Sequence, residues 1–217
     1  MAKDYEKAAE CYLLAAEKGH PWGQFRMGWL YENGWGVEQS DEKAAEYYQL
    51  AADQGESSAQ CNLGYLYKAG RGVPQDYEKA LKYYRLSADQ GDALALNNLG
   101  VMYEGGHGVE VDYEKAMDYY RMAAGKGNEL AINNIGWMYE KGRGVEQDYE
   151  KAVEYYQLAA QKGSVKALRN LGRMYENGYG VAQDRYKAVS YYQRAAEEGD
   201  EKAREALERL SAATPAP

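Results

Sequence analysis

The chain carries two histidines, His20 and His107. Either could serve as a general base if a carboxylate oriented it and a substrate proton lay within hydrogen-bond reach. They stand 87 residues apart (107 − 20), His20 at the start of an expected helix and His107 in a loop, and neither has a carboxylate at a recurring spacing. A row of acids, Glu32, Glu104, Glu140 and Glu176, has the residue type for a cation site. Lys68 interrupts that row and its members lie 36 residues or more apart, so it reads as a solvated helix face. Glycine pairs such as Gly70 and Gly72 have the composition of a phosphate loop, but they follow an expected helix rather than a strand. No Gly-Lys-Ser/Thr follows them. Cys11 and Cys61 fall at unlike positions and give neither a disulfide framework nor a metal-ligand spacing. The residues therefore point to no catalytic centre, no cofactor site and no metal site, and the chain is expected not to be an enzyme.

The elements that hold these residues recur without slippage. Gly64 returns as Gly28, Gly100, Gly136 and Gly172, a constant step of 36. Tyr67 returns as Tyr31, Tyr103, Tyr139 and Tyr175, and the Gly70/Gly72 pair at 34/36, 106/108, 142/144 and 178/180. A second block, Asp76-Tyr77-Glu78-Lys79-Ala80 followed by Tyr83-Tyr84, keeps the same step, with Lys7, Lys43, Lys115, Lys151 and Lys187 matching Lys79. A fixed period of this length is the signature of a helical or strand solenoid. Here it is helical: Ala59, Leu63, Leu66 and Tyr67 share one face of a first helix, about Ser57 to Ala69. Ala80, Tyr84 and Ala88 share a face of a second, about Asp76 to Gln90. The recurrent mid-helix glycine costs about 1 kcal/mol against alanine, which makes sense where a neighbour crosses at close range. Val73 and its equivalents are expected to tuck the connecting loop onto the core.

The expected layout is a half repeat over 1–19 (second helix only) and five full 36-residue repeats over 20–199, namely 20–55, 56–91, 92–127, 128–163 and 164–199. A capping helix over 200–213 and a disordered tail over 214–217 complete it. Helices of this length are marginal alone, so stability must come from stacking neighbours. The 23 tyrosines against one phenylalanine suit rings packed between repeats whose hydroxyls reach loop carbonyls or water.

Composition bounds the partners. The chain has 217 residues, 26 Lys plus Arg against 34 Asp plus Glu, and a formal charge of −8. With no basic cluster, nucleic acid is not expected as the main partner. No apolar run approaches the ~20 residues of a membrane helix. The start, Met1-Ala2-Lys3-Asp4-Tyr5, enters a repeat directly, with no signal peptide visible. The compartment stays open.

The pattern alanine, three residues, leucine-glycine, two residues, tyrosine, then glycine-x-glycine-valine, then aspartate-aromatic-x-lysine-alanine and a Tyr-Tyr pair resembles the Sel-1-like repeat, one of the tetratricopeptide-like helical solenoids. The likeness covers nearly the whole chain. Tyrosine stands at the first position of the Tyr-Tyr pair (Tyr47, Tyr83, Tyr119, Tyr155, Tyr191), where most members carry tryptophan. The cysteine pairs of the secreted, disulfide-stapled branch are missing. The resemblance implies an all-α, right-handed solenoid of antiparallel helix pairs that acts as an adaptor or scaffold, its first helices lining a concave, partner-gripping surface.

Carried over to this sequence, the positions just outside the leucine-glycine face form three rows. They are Phe25, Cys61, Asn97, Asn133 and Arg169; Trp29, Tyr65, Val101, Trp137 and Arg173; and Trp22, Ser58, Leu94, Leu130 and Lys166. The amino-terminal part is aromatic (Trp22, Phe25, Trp29, Tyr65) and the carboxy-terminal part basic (Lys166, Arg169, Arg173). With Trp137 these are the expected partner-binding residues, for a protein or peptide with an aromatic or aliphatic anchor and an acidic end. Trp22 and Phe25 also suit packing against the half repeat before them. An asparagine ladder, Asn62, Asn98, Asn134 and Asn170, suits either a bound peptide's main chain or, in the favoured reading, hydrogen bonds inside the array. The alternative function is a structural or self-associating array, excised or engineered, that stacks end to end through Leu13 and Leu14.

Overall fold

A computed structural model describes residues 2–212. Among the described residues there are twelve helices and no strand. Residues up to Val111 form one compact unit and those from Asp112 a second. The first holds α1 (Ala2–Glu17), α2 (Pro21–Asn33), α3 (Asp41–Asp53), α4 (Ser57–Ala69), α5 (Tyr77–Asp89) and α6 (Ala93–Gly105). The second holds α7 (Tyr113–Gly125), α8 (Glu129–Lys141), α9 (Tyr149–Gln161), α10 (Val165–Asn177), α11 (Arg185–Glu197) and α12 (Glu201–Ala212). Within each unit every helix packs on the next. The expected tail, 214–217, lies outside the described residues.

The aspartate-x-x-lysine spacing is a helix start. Ser40, Asp76, Asp112, Asp148 and Asp184 cap α3, α5, α7, α9 and α11, each accepting the backbone N–H of the lysine three residues on. Such a cap satisfies a donor that the helix itself leaves unpaired. The lysine has a further use: Lys79 Nζ lies 5.0 Å from the centre of the Tyr67 ring. Tyr67 in turn stacks on Tyr83, centroids 5.8 Å apart and planes 4° from parallel. The same stack joins Tyr31 to Tyr47, Tyr139 to Tyr155 and Tyr175 to Tyr191. The first tyrosine of each of these pairs thus ties the two helices of a repeat.

The second residue of the adjacent Tyr-Tyr pair fills the core and explains the mid-helix glycine. Tyr48, Tyr84, Tyr120 and Tyr156 are fully buried. A Cβ on Gly64 would stand 2.8 Å from Tyr84 Cδ1, and Gly28, Gly136 and Gly172 face Tyr48, Tyr156 and Tyr192 as closely. The close neighbour is an aromatic ring, seated against the first helix where no side chain intervenes.

The loop glycines divide their work. Gly70 ends α4 with φ 68°, its N–H bonded to Leu66 O, a left-handed turn that other residues resist. Gly72, at φ 66°, also brings the loop against the start of α3, where a Cβ would come 2.1 Å from the Asp41 carbonyl oxygen. Val73 packs on the core cluster built from α3 and α4, as expected.

Candidate functional site

In the first unit the aromatic residues gather around one guanidinium. Arg26 of α2 lies over three rings, 5.1 Å from Tyr12, 5.6 Å from Trp22 and 4.5 Å from Trp29. Trp22, 50% exposed, also meets Tyr12 of α1 edge-on at 5.3 Å, so it both packs on the half repeat and faces solvent. Trp29 is half-buried and edge-on to Trp35 at 4.5 Å. Phe25, half-buried, leans on Tyr48 at 5.9 Å. Tyr65 of α4 is 44% exposed and lies 5.9 Å under Arg71. The Arg26 Nε is buried without a hydrogen-bond partner.

In the second unit the basic residues are already engaged. Lys166 is exposed, but Arg169 pairs with Asp200. Arg173 clasps Glu140 with both ends of its fork, Nη1 donating to Oε1 at 3.0 Å and Nη2 to Oε2. Glu140 is 2% exposed and also receives Tyr156 O–H at 2.8 Å and Lys141 Nζ at 2.7 Å. Burial alone would raise its pKa. The donors Arg173, Lys141 and Tyr156 outweigh that and hold the carboxyl below the usual glutamate range. Trp137 is half-buried beneath Arg143, whose guanidinium carbon stands 4.4 Å from the ring centre.

The acid row is therefore not a solvated face. Glu32 accepts Tyr48 O–H at 2.7 Å and Arg71 at 3.4 Å. Glu176 accepts Tyr192 O–H at 2.8 Å and Arg209 at 2.5 Å. In each case a tyrosine 16 residues on supplies one donor and an arginine of the following repeat another. These tyrosine hydroxyls bind carboxylates, where loop carbonyls or water were expected. Periodicity shows that a glutamate lies beside the apolar face; it does not show that a buried phenol stands opposite. In the second repeat the carboxylate is missing: Lys68 holds the position, and the buried Tyr84 hydroxyl has no partner.

Two of the four ladder asparagines, Asn98 and Asn170, bond inside the array, and they do so to side chains rather than loop backbone. Asn170 donates to Asn133 Oδ1 at 3.0 Å and Asn98 to Cys61 Sγ at 3.9 Å. Cys61, Asn97 and Asn133 are consequently buried, and that row presents little to a partner. Both cysteines are free, and burial pushes the Cys61 thiol up to about 12. One exposed row escaped the sequence reading: Leu14, Leu50, Leu86, Met122 and Leu158, on second helices, are between 40% and 60% exposed. Their signal was the same step of 36, two residues beyond the Tyr-Tyr pair. Among the described residues no cluster of acids, histidines and cysteines could hold a metal, and no helix is long and apolar enough to cross a membrane.

Comparison with known proteins agrees with this architecture. The Sel1 repeat family model matches residues 1–20, 23–56, 57–92, 93–128, 130–164 and 165–200. Among solved structures, a Sel1 repeat protein from Oxalobacter formigenes is 36% identical over 92% of this chain and 82% of its own, with a TM-score of 0.83. The protective antigen c5321 of uropathogenic Escherichia coli, of SLR fold, is 31% identical over 97% of this chain, with a TM-score of 0.76. This chain spans only 49% of that protein. The immunity protein Pa5087 of Pseudomonas aeruginosa is 25% identical over 89% of this chain and 74% of its own, with a TM-score of 0.62. No curated protein matches. With six matched repeats along nearly its whole length, the chain belongs to the Sel1 repeat family of tetratricopeptide-like helical solenoids, whose members generally mediate protein–protein interactions and are generally non-enzymatic.

Proposed function

We propose that this chain is a non-enzymatic adaptor that holds a segment of a partner protein against its first helices. The observation that carries the reading is the ring-and-guanidinium surface of α2 and α4, where Trp22 is exposed beside Arg26 and Tyr65 beside Arg71. Trp, Tyr and Arg dominate measured interface energies, and an exposed apolar patch suits a partner better than water. Trp29 and Phe25 support that surface from the half-buried layer beneath. In the second unit Trp137 and Lys166 are the corresponding contacts. Arg169 and Arg173 contribute through the guanidinium edges their carboxylates leave open. An aromatic or aliphatic anchor on the partner suits the first unit. The formal charge of −8 disfavours nucleic acid.

Photo-crosslinking tests this. p-Benzoylphenylalanine in place of Tyr65 is expected to trap a discrete partner that excess unmodified protein competes away. The same probe in place of Tyr186, a 91% exposed residue at the start of α11, is expected to trap none. Identical adducts from both positions, or none from position 65, would remove α4 from the binding face. The second reading, self-association, is supported by Leu13 and Leu14 of α1, 37% and 60% exposed. It requires a light-scattering mass that rises with concentration.

A further inference from the structure

Three repeats show what the first-helix glutamate does: a buried tyrosine 16 residues on donates its hydroxyl to it, at 2.7 Å from Tyr48 to Glu32, 2.8 Å from Tyr156 to Glu140 and 2.8 Å from Tyr192 to Glu176. The second repeat keeps the donor and lacks the acceptor. Tyr84 is fully buried with its hydroxyl unpaired, and the residue 16 before it is Lys68, half-buried on the first-helix face of α4. Among the described residues no carboxylate pairs with Lys68, whereas Arg71, three residues away, is taken up by Asp41 and Glu32. In the following repeat Val101 stands where Arg173 and Arg209 stand in theirs, and His107, at the position of Arg71, lies against the Tyr77 ring at 5.1 Å.

We propose that Lys68 and Tyr84 form a binding site for a carboxylate of an acidic peptide. The incoming carboxylate takes the place that Glu32, Glu140 and Glu176 occupy in their own repeats. One oxygen accepts the Tyr84 O–H and the other pairs with the Lys68 ammonium, whose four-carbon stem lets the charged head move aside. Both groups gain. A buried hydroxyl without a partner is costly, and a charge-assisted hydrogen bond is about twice as strong as a neutral one. Two further features fit. Burial lowers the Lys68 pKa, so its ammonium is short of solvation, and burial raises that of Tyr84, which keeps the phenol a donor. Tyr65, exposed one turn before Lys68, gives the peptide a ring to lie on. The site deepens the adaptor reading and rests on it only for what delivers the carboxylate.

The test is a titration followed by NMR, reading Tyr84 Cζ and Lys68 Cε in the full chain. Three probes are used: acetyl-Gly-Gly-Glu-Gly-Gly-amide, which has only a side-chain carboxylate; acetyl-pentaglycine, which has only a terminal one; and acetyl-Gly-Gly-Gln-Gly-Gly-amide, which has none. Both signals are expected to shift saturably with one or both carboxylate peptides, their relative affinity telling a side chain from a terminus, and not with the glutamine peptide. Lys68→Met and the isosteric Tyr84→Phe are each expected to weaken the binding roughly tenfold. Lys68→Glu is expected to abolish it, because the internal carboxylate is restored, and to raise the melting temperature. Absence of saturable shifts, equal shifts from the glutamine peptide, or undiminished binding by Tyr84→Phe would each overturn the site. Free peptides need no native partner, so this result and the Tyr65 crosslink can fail separately.

Discussion

A tyrosine hydroxyl has opposite value in neighbouring repeats. Tyr156 donates to Glu140, which is 2% exposed, and a hydrogen bond to a buried charge contributes about 1.5–3 kcal/mol. Tyr84 donates to nothing. Tyr156→Phe should therefore cost about 2 kcal/mol in urea unfolding, while Tyr84→Phe should be neutral or slightly stabilising; equal costs would mean that the hydroxyls do not set the difference. Arg173 belongs to the same cluster. Replacing it with alanine leaves Glu140 short of its main counter-charge, and breaking a buried pair costs about 3–5 kcal/mol. Arg173 is 35% exposed, so water can take up part of the charge, and about 2–3 kcal/mol is expected. Arg173→Ala is thus as much a stability variant as a binding one, and Lys166→Ala is the cleaner probe of the face. The cluster also sets a pH dependence. The folded Glu140 pKa lies below 4.5 because its donors Arg173, Lys141 and Tyr156 outweigh its burial. A depressed carboxyl contributes stability that is fully present above the unfolded value and is lost as pH falls through the folded one. Unfolding free energy should drop below about pH 4.5 more steeply in the wild type than in Glu140→Gln, and parallel profiles would show that the cluster does not couple to protons.

At the scale of the helix pair, the glycine in each first helix is a trade between propensity and contact. Alanine at position 64 would gain up to about 1 kcal/mol of helix propensity, yet its Cβ would stand 2.8 Å from the Tyr84 ring. Overpacking of that kind costs about 1–3 kcal/mol. Gly64→Ala should be net destabilising by about 1 kcal/mol, and combining it with Tyr84→Leu should recover part of the loss, as contacting residues are not additive. The helices themselves were legible in the sequence because their signals are local. The glycine at the end of α4, the aspartate cap of α5 and the apolar spacing between them each act within one turn, and α4 runs from Ser57 to Ala69 as read. The candidate site was less legible because its state depends on pairing between repeats. Arg173 reads as a free surface cation until Glu140 is seen 33 residues earlier, and Lys68 reads as a break in an acid row until the unpaired Tyr84 hydroxyl is found 16 residues on. The comparison that separates these cases aligns position 68 with its equivalents together with the tyrosine 16 residues on, which a single row cannot do.

At the scale of the molecule, a chain in which each helix packs on the next has stability that varies along its length. In the first unit α4 is packed by α3 and α5, whereas α1 packs on α2. In the second, α12 packs on α11 and is further fastened by Arg209 to Glu176 and by Arg169 to Asp200. Amide hydrogen exchange should accordingly be faster in α1 than in α4. In α12 it should be slower than in α1, because those two pairs tie it to α10. Arg209→Ala tests the fastening. The pair is partly exposed and contributes little by itself, about 0–1 kcal/mol, but Glu176 would then lose its two bonds to Arg209 and rely on the Tyr192 hydroxyl and the charge of Arg185. Exchange in α12 should rise several-fold while α8 and α9 keep their wild-type rates, since nearest-neighbour coupling spreads a local loss only to adjoining helices. If exchange rises equally from α8 to α12, the second unit opens as one cooperative block, and a change at any position of its proposed binding face, Trp137 and Lys166 included, would be felt through all of it.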